Sequence, residues 1–492
     1  GYSTFHTGSC HATSVLVEVP KIPIVWTQTN IQNFQQELEH RTNLSHPNLC
    51  LLLGACLDPQ VRIVVEQVKG NIGNELKNTR APLYQRLTWA KEAAQGISWL
   101  HGAAQPVILK ELKTTNLFYD EGGKTKVYAW TPFITLSGQN PPEECLIYRA
   151  PEILMDKPYG TSADAYSFGL LLYELLTKKK WCQLGNFSNW NDFYQAICVA
   201  HQRPPFPENC TSALKSLICE CWSPDPQQRP TFTQIAERLE HQIIPQCQSM
   251  YFEQRIHVCI PDENARNFWR TFFFKESEVS WDDFCEQFFP IRSDYTQPDY
   301  SLPPRKGVSD PLPNLPTDDQ LNAATTEQLK ELASRNRVGR AIVARALNTR
   351  KTSGYVISEQ IFTIIDWIYE ILCPSNQKVT INSFGSLIGW FGPLDNEFAN
   401  RVEQAVTNPY FHGKISFEQA NRLLQANIQH NPCLVRFSGN TKNAFCICYI
   451  APGPKIKHLP VTYQAGHGFL YKNQHLQSLQ DLIDNAQTDL HF

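Results

Sequence analysis

One arginine interrupts an apolar pattern near the end of the chain. In Cys433-Leu434-Val435-Arg436-Phe437-Ser438, the alternation of Cys433, Val435 and Phe437 predicts a β-strand with one face in a core. Arg436 then points the other way. Buried charge is costly unless it is paired, so the position predicts either a satisfied strand arginine or a site for an anion. A guanidinium grips phosphate through a planar fork that lysine cannot copy. The cysteines offer a second kind of chemistry. There are 16, at irregular spacing. Cys219 and Cys221 are separated by one residue, as are Cys446 and Cys448, so neither pair forms CxxC. A zinc site is not expected from such spacing, and buried free thiols in a reducing compartment are the simpler reading.

The elements around Arg436 give it a context. Tyr410-Phe411-His412-Gly413-Lys414-Ile415-Ser416 reads as an opening strand and turn, and Glu418 to Leu424 as a helix. Lys457-His458 and Leu476-Gln477-Ser478-Leu479-Gln480-Asp481-Leu482-Ile483 follow as a strand and a second helix. In this order the motifs resemble a Src-homology-2 (SH2) domain over residues 409–492, with a central antiparallel sheet flanked by two helices. The resemblance implies phosphotyrosine binding. Arg436 would form the pocket floor, Ser438 would donate a hydroxyl to phosphate, and His458 would brace the wall. Many members carry arginine after the serine of the opening motif, where this chain has Phe417. One phosphate contact is thereby lost, and weaker affinity is expected.

Length and composition set the frame. A chain of 492 residues has room for about three domains. Hydrophobic residues at 42% and aromatics at 11% support packed cores. A net charge of −3 gives no general pull toward nucleic acid or a membrane surface. No apolar run approaches the roughly 20 residues a membrane span needs. No signal peptide is visible, and residue 1 is Gly rather than Met. A cytoplasmic setting is expected.

Residues 1–245 carry another set of ordered motifs. His46-Pro47-Asn48 follows an amphipathic segment; Ala150-Pro151-Glu152, Asp164-Ala165-Tyr166-Ser167-Phe168-Gly169, and Cys221-Trp222 through Arg229-Pro230 come later. Together they resemble a bilobal protein-kinase fold. Leu112-Lys113-Thr114-Thr115-Asn116 resembles its tyrosine-kinase-like group. The resemblance implies that Arg229 pairs with Glu152 and that Asp164 holds backbone amides of the catalytic loop.

The chemistry of that family is degraded. Phosphoryl transfer needs a glycine loop over the phosphates, a strand-three lysine, a catalytic aspartate and a metal-binding aspartate. Ser3 and His6 occupy glycine-loop places, where side chains obstruct the approach to phosphate. Glu18 replaces the lysine, repels ATP phosphates and is expected to face Glu37, the partner glutamate. Leu109-Lys110-Glu111 stands for His-Arg-Asp, with Glu111 one methylene longer than the aspartate. Asn116, the second metal ligand, survives. Ala129 replaces the metal aspartate and offers no ligand atom, and Trp130 is expected to fill the neighbouring apolar slot. A catalytically impaired, pseudokinase-like domain follows, with no resident cofactor expected. The alternative is a divergent, active serine/threonine or dual-specificity kinase, using ATP with Glu111 and a relocated cation from Lys110, Lys113 or Lys126. Val65 and Glu66-Gln67-Val68 leave room for a purine bound without metal.

Between them lies a mainly helical connector, 246–408. Asn267 to Phe273 reads as an aromatic helix face running into Glu278-Val279-Ser280-Trp281-Asp282-Asp283-Phe284. Lys378-Val379-Thr380-Ile381-Asn382-Ser383-Phe384 echoes the latter. The segment resembles the EF-hand-like connector of Cbl-type adaptors and, distantly, the linker of signal-transducing transcription factors. Calcium loops need oxygen ligands at positions 1, 3 and 5 and a bidentate glutamate at 12. With Ser383 twelfth, the others are Leu372, Pro374 and Asn376; with Asp283 twelfth, the loop begins at Phe272 and has Phe274 third. No calcium or other metal is expected. Residues 290–318, rich in Pro, Ser and Asp, read as an exposed, flexible insert, and Val338–Leu347 and Glu359–Leu372 as buried helices.

The expectation is a multidomain α+β signalling adaptor or scaffold that binds tyrosine-phosphorylated protein or peptide, with an active kinase as a further candidate partner. The order of domains resembles the amoebal kinases that precede an SH2 domain. A transcription-factor reading lacks a DNA-binding segment.

Overall fold

The computed structural model describes residues 3–10, 12–20, 28–56, 61–129, 146–180, 187, 189–208, 210–288, 367–373, 378–395, 398–426, 433–441, 444–451, 455–464, 468–471, 474–476 and 479–488. Trp130, the insert 290–318, the segment Val338–Leu347 and the first part of Glu359–Leu372 lie outside them. The chain divides into two compact units, Gly1–Tyr251 and Phe252–Phe492. The connector from Phe252 onward and the expected SH2 region therefore belong to one unit.

In the first unit, β1 (Ser3–Cys10), β2 (Thr13–Pro20), β3 (Leu52–Cys56) and β4 (Arg62–Glu66) form an antiparallel sheet ordered β1-β2-β4-β3. The helix Gln28–Thr42 packs on it through Phe34, which joins Leu16, Ile63, Val65 and Tyr128 in a small core. A larger helical core follows. Ala90, Ala93, Ala94 and Ile97 share one stripe of the helix Leu83–His101 and are all buried. The helix Ser162–Thr177 is buried along nearly its whole length, so it forms the centre rather than a wall. A three-stranded sheet, β5 (Gly70–Asn71), β6 (Leu117–Tyr119) and β7 (Thr125–Val127), carries the segments expected to hold catalytic groups.

In the second unit, two short strands, β8 (Glu278–Ser280) and β9 (Lys378–Thr380), pair antiparallel with Val279 opposite Val379. Each runs straight into a helix, Trp281–Phe288 and Ile381–Phe391. A helix also stands before each strand: Glu263–Phe273, and the helical residues 367–372. Phe268, Trp269, Phe284 and Phe384 fill the space between them. Gly385 is required there, because a Cβ would lie 1.9 Å from the Cys259 carbonyl oxygen. The five-stranded antiparallel sheet runs β10 (Cys433–Phe437), β11 (Ala444–Ala451), β12 (Lys455–Gln464), β13 (Gly468–Tyr471), β14 (Gln474–Leu476). Leu476 thus ends a strand, and the last helix starts at Leu479.

Strand β10 is buried at all five positions, so both of its faces are covered. Cys433, Val435 and Phe437 face the connector core, where Phe437 stacks on Trp390 with ring centroids 4.0 Å apart. Leu434 belongs to the opposite cluster, with Cys446, Cys448 and the helix Phe417–Ala426. The connector therefore braces the strand that carries Arg436 from behind.

Candidate functional site

Strand period places Glu18 in the first unit. Leu16, Glu18 and Pro20 share the inward face of β2, and the Glu18 side chain is buried. A buried carboxylate needs donors. The Tyr128 hydroxyl donates to Glu18 Oε2 across the cleft, and burial first, then Glu18, pushes that phenol well above its usual range. Glu37 is met at 2.9 Å by Arg41 Nη2, one helical turn on. Arg41 Nη1 also donates to the carbonyl of Ala129. Burial lowers the Arg41 pKa although Glu37 acts the other way. The expected confrontation of Glu18 with Glu37 is thus resolved differently, because each acid has a donor of its own.

The glycine-loop place is a strand from Ser3 onward, not an open loop. Phe5 stands opposite Glu18 in the β1–β2 register. Its ring packs edge-on against Phe118 at 5.5 Å and Tyr128 at 5.4 Å, and those two meet at 5.9 Å. This aromatic trio lies beside Glu18 and just before Ala129. His6 is exposed, its Nε2 3.1 Å from Thr4 Oγ1.

The expected substitute cations are engaged. Lys126 Nζ lies 2.9 Å from both carboxylate oxygens of Glu66. Lys113 Nζ is 3.5 Å from Glu111 Oε1, and Lys110 Nζ sits over the Tyr159 ring. Glu111 is buried, with Arg149 Nη2 3.4 Å from its other oxygen. Tyr128 N donates to Asn116 O at 2.8 Å, which brings Asn116 close to Ala129. Asn116 Oδ1 is buried with no hydrogen-bond partner.

The scaffold contacts are complete. Arg229 grips Glu152 bidentately at 2.6 and 3.0 Å, with both side chains buried. Asp164 accepts from the backbone N–H groups of Leu109 and Lys110 at 2.8 and 2.7 Å. Lys110 has φ 68°, a left-handed conformation that those bonds help to hold.

The second unit presents a cavity of about 590 Å³, lined by Lys414, Phe417, Arg436, Ser438, Cys446 and His458 among others. Register explains the convergence: Arg436 pairs with Cys446 across β10–β11, and Cys448 with His458 across β11–β12. Arg436 Nη1 donates to the Phe437 carbonyl at 2.9 Å, while its buried Nε has no partner. Ser438 Oγ accepts from Thr441 N at 3.0 Å, which leaves its proton available. His458 is fixed at both nitrogens, with Nδ1 3.0 Å from Cys448 Sγ and Nε2 2.9 Å from Asn421 Oδ1. Desolvation, then Arg436, lowers its pKa. Phe417 caps this wall, stacking on the His458 ring at 4.2 Å. Sequence reasoning missed Lys414 and Asn421 as site residues. Lys414 lies inside the opening motif, but nothing in its spacing says that it borders the cavity.

A kinase fold followed by an SH2 fold in one chain is the class that these two units define. Residues 3–239 match the protein tyrosine and serine/threonine kinase family, and residues 410–485 match the SH2 domain. The dual specificity protein kinase shkC of Dictyostelium discoideum is 29% identical over 466 residues, spanning 92% of this chain and 79% of that protein. The dual specificity protein kinase shkA of the same organism is 29% identical over 498 residues, 98% and 84% of the two chains. A third, shkE, is 33% identical over 295 residues, 58% of this chain and 39% of that protein. The chain is homologous to these kinase–SH2 proteins of Dictyostelium. Among the described residues, no helix is long and apolar enough to cross a membrane.

Proposed function

We propose that the chain is a cytoplasmic signalling adaptor that binds tyrosine-phosphorylated protein through Arg436, Ser438 and His458, and whose kinase-fold domain is catalytically impaired. One observation carries the second half of this reading. The two positions that should hold phosphate and metal, Glu18 and Ala129, are tied instead to Tyr128 and Arg41. A carboxylate repels ATP phosphates, and alanine gives magnesium no oxygen. The partnerless Arg436 Nε beside a cavity supports the first half, because a buried donor without a partner costs stability unless a ligand uses it. The connector acts as an EF-hand-like brace without calcium.

A second reading has its own support. The relatives are named dual specificity protein kinases, and those names favour an active, divergent kinase recruited to phosphotyrosine over an adaptor. Asn116 Oδ1, buried and unpartnered, is also an oxygen that a cation could use. The deciding experiment incubates the purified chain with magnesium-ATP and a generic protein substrate, beside a Glu111→Ala variant. The adaptor reading expects no transfer above background from either. Phosphorylation by the natural chain that Glu111→Ala abolishes would establish the kinase.

A further inference from the structure

Cys446, Cys448 and His458 cluster at the cavity wall. Their ligand atoms all lie within 4.8 Å of one another. The two Sγ atoms are 3.9 Å apart, and Cys448 Sγ is 3.0 Å from His458 Nδ1. Two thiolates on one tetrahedral zinc, each about 2.3 Å from it, stand about 3.8 Å apart, and a thiolate and an imidazole about 3.5 Å apart. The sulfur pair already has that spacing; the imidazole would retreat from Cys448 by about half an ångström, and the Cys446–His458 separation, within 4.8 Å, would come to about 3.5 Å.

We propose that Cys446, Cys448 and His458 form a binding site for a thiophilic d¹⁰ cation, zinc(II), with its fourth coordination position open to the cavity.

Two features support this assignment. The His458 tautomer is set from outside the site. Asn421 Oδ1 can only accept, so His458 Nε2 carries the proton and Nδ1 presents its lone pair toward Cys448. This is the outer-shell arrangement that orients metal-bound histidines. Charge, finally, balances. Two thiolates cancel a dication, so the loaded site is neutral beside Arg436 and does not repel its guanidinium. Spacing along the chain hides the site, because Cys-x-Cys on one strand offers only two ligands and the third comes from β12. Binding releases the thiol protons, so affinity rises with pH.

The test uses the full chain, reduced and stripped of metal, titrated with zinc against a chromophoric chelator and separately with cobalt(II). One tightly held zinc equivalent is expected. The cobalt form is expected to show a thiolate-to-cobalt charge-transfer band and the strong visible bands of a tetrahedral site. The double variant Cys446→Ser/Cys448→Ser loses the equivalent, and Asn421→Ala weakens it roughly 10–100-fold. The remote pair Cys10→Ser/Cys56→Ser keeps it. Arg436→Ala also keeps it, so the site stands or falls apart from phosphotyrosine binding. A cobalt spectrum of the unaltered chain without thiolate bands overturns the proposal whatever the variants do to folding. So does a zinc equivalent that survives in the Cys446→Ser/Cys448→Ser protein.

Discussion

The kinase cleft and the SH2 cavity use polar groups in opposite ways. In the cleft, groups at the phosphate and metal positions are spent on each other: Glu18 on Tyr128, Glu37 on Arg41, Lys126 on Glu66. In the cavity, a buried guanidinium keeps Nε unpartnered and a serine keeps its proton, although His458 is fixed on both sides. Both regions keep their scaffolds, as the Glu152–Arg229 pair and the braced strand β10 attest. An intact scaffold does not by itself fix the chemistry, because scaffold contacts and ligand contacts are made by different residues. On the adaptor reading, internal pairing goes with impaired catalysis in the cleft, although Asn116 Oδ1 there stays unpartnered, and reserved hydrogen-bonding capacity goes with ligand binding in the cavity.

The widest separation between the regions is expected from Arg436→Ala. Each charge-assisted bond to phosphate is worth roughly 1.5–3 kcal/mol, so affinity for a phosphotyrosine peptide falls at least about tenfold. Arg436→Lys does not restore it, because the planar fork is gone. Calorimetric titration checks this, and unchanged affinity in both variants would place the ligand elsewhere.

Cutting an internal pair in the cleft should act on stability instead. Tyr128→Phe removes a buried hydrogen bond to Glu18 and costs about 1–3 kcal/mol. Removing both ends of this bond, as in Glu18→Leu/Tyr128→Phe, is expected to recover part of that loss, since neither end of that bond is then left unmet. Denaturant unfolding of the first unit reads both. If the double variant is less stable than Tyr128→Phe alone, Glu18 is doing something other than filling a structural slot.

How much of this was legible in the sequence depended on distance along the chain. Arg436, Ser438 and His458 sit inside local motifs with strand period, and the structure brings all three to one cavity. Asp164, Glu152 and Arg229 stand in recognisable segments. The bonds that close the cleft were not visible, because Tyr128–Glu18 and Arg41–Ala129 join residues 110 and 88 positions apart. Glu37 looked like a second buried acid because its partner Arg41, one helical turn away, was not weighed. The alternation around Arg436 gave its direction correctly but implied a half-exposed strand. Residues of the connector and the helix Phe417–Ala426 cover both faces, and no local pattern announces that.

A smaller effect is a pH dependence of the second unit. His458 and His412 have pKa values lowered by burial, and Arg436 adds to this at His458. A histidine whose folded pKa lies below its unfolded value favours the folded state when neutral. That stability is fully present above about pH 6.5, the unfolded value, and is lost as pH falls through the folded one. Thermal unfolding of the second unit should therefore weaken below about pH 6.5. His458→Gln should flatten the trend, keeping a hydrogen-bonding side chain without the titration. A slope unchanged by His458→Gln would assign the pH dependence to other groups.

The smallest expected effect is none at all, and it tests whether the connector resembles the cleft or the cavity. The side chains that would stand twelfth in calcium loops are spent on helix caps. Ser383 and Thr380 form a reciprocal capping box, with Ser383 Oγ accepting from Thr380 N and Thr380 Oγ1 from Ser383 N, both at 3.0 Å. Asp283 accepts from Ser280 Oγ at 2.6 Å, and Ser280 Oγ accepts from Asp283 N. A serine cannot chelate bidentately, and releasing either cap would cost about 0.5–2 kcal/mol before any ion was gained. The connector thus resembles the cleft, with its polar groups already committed to structure. Adding calcium to the calcium-depleted chain, with other metals held constant, should leave the melting temperature where it was. A calcium-dependent rise would mean that residues outside the caps supply the ligands, and would move the connector to the side of the ligand-taking cavity.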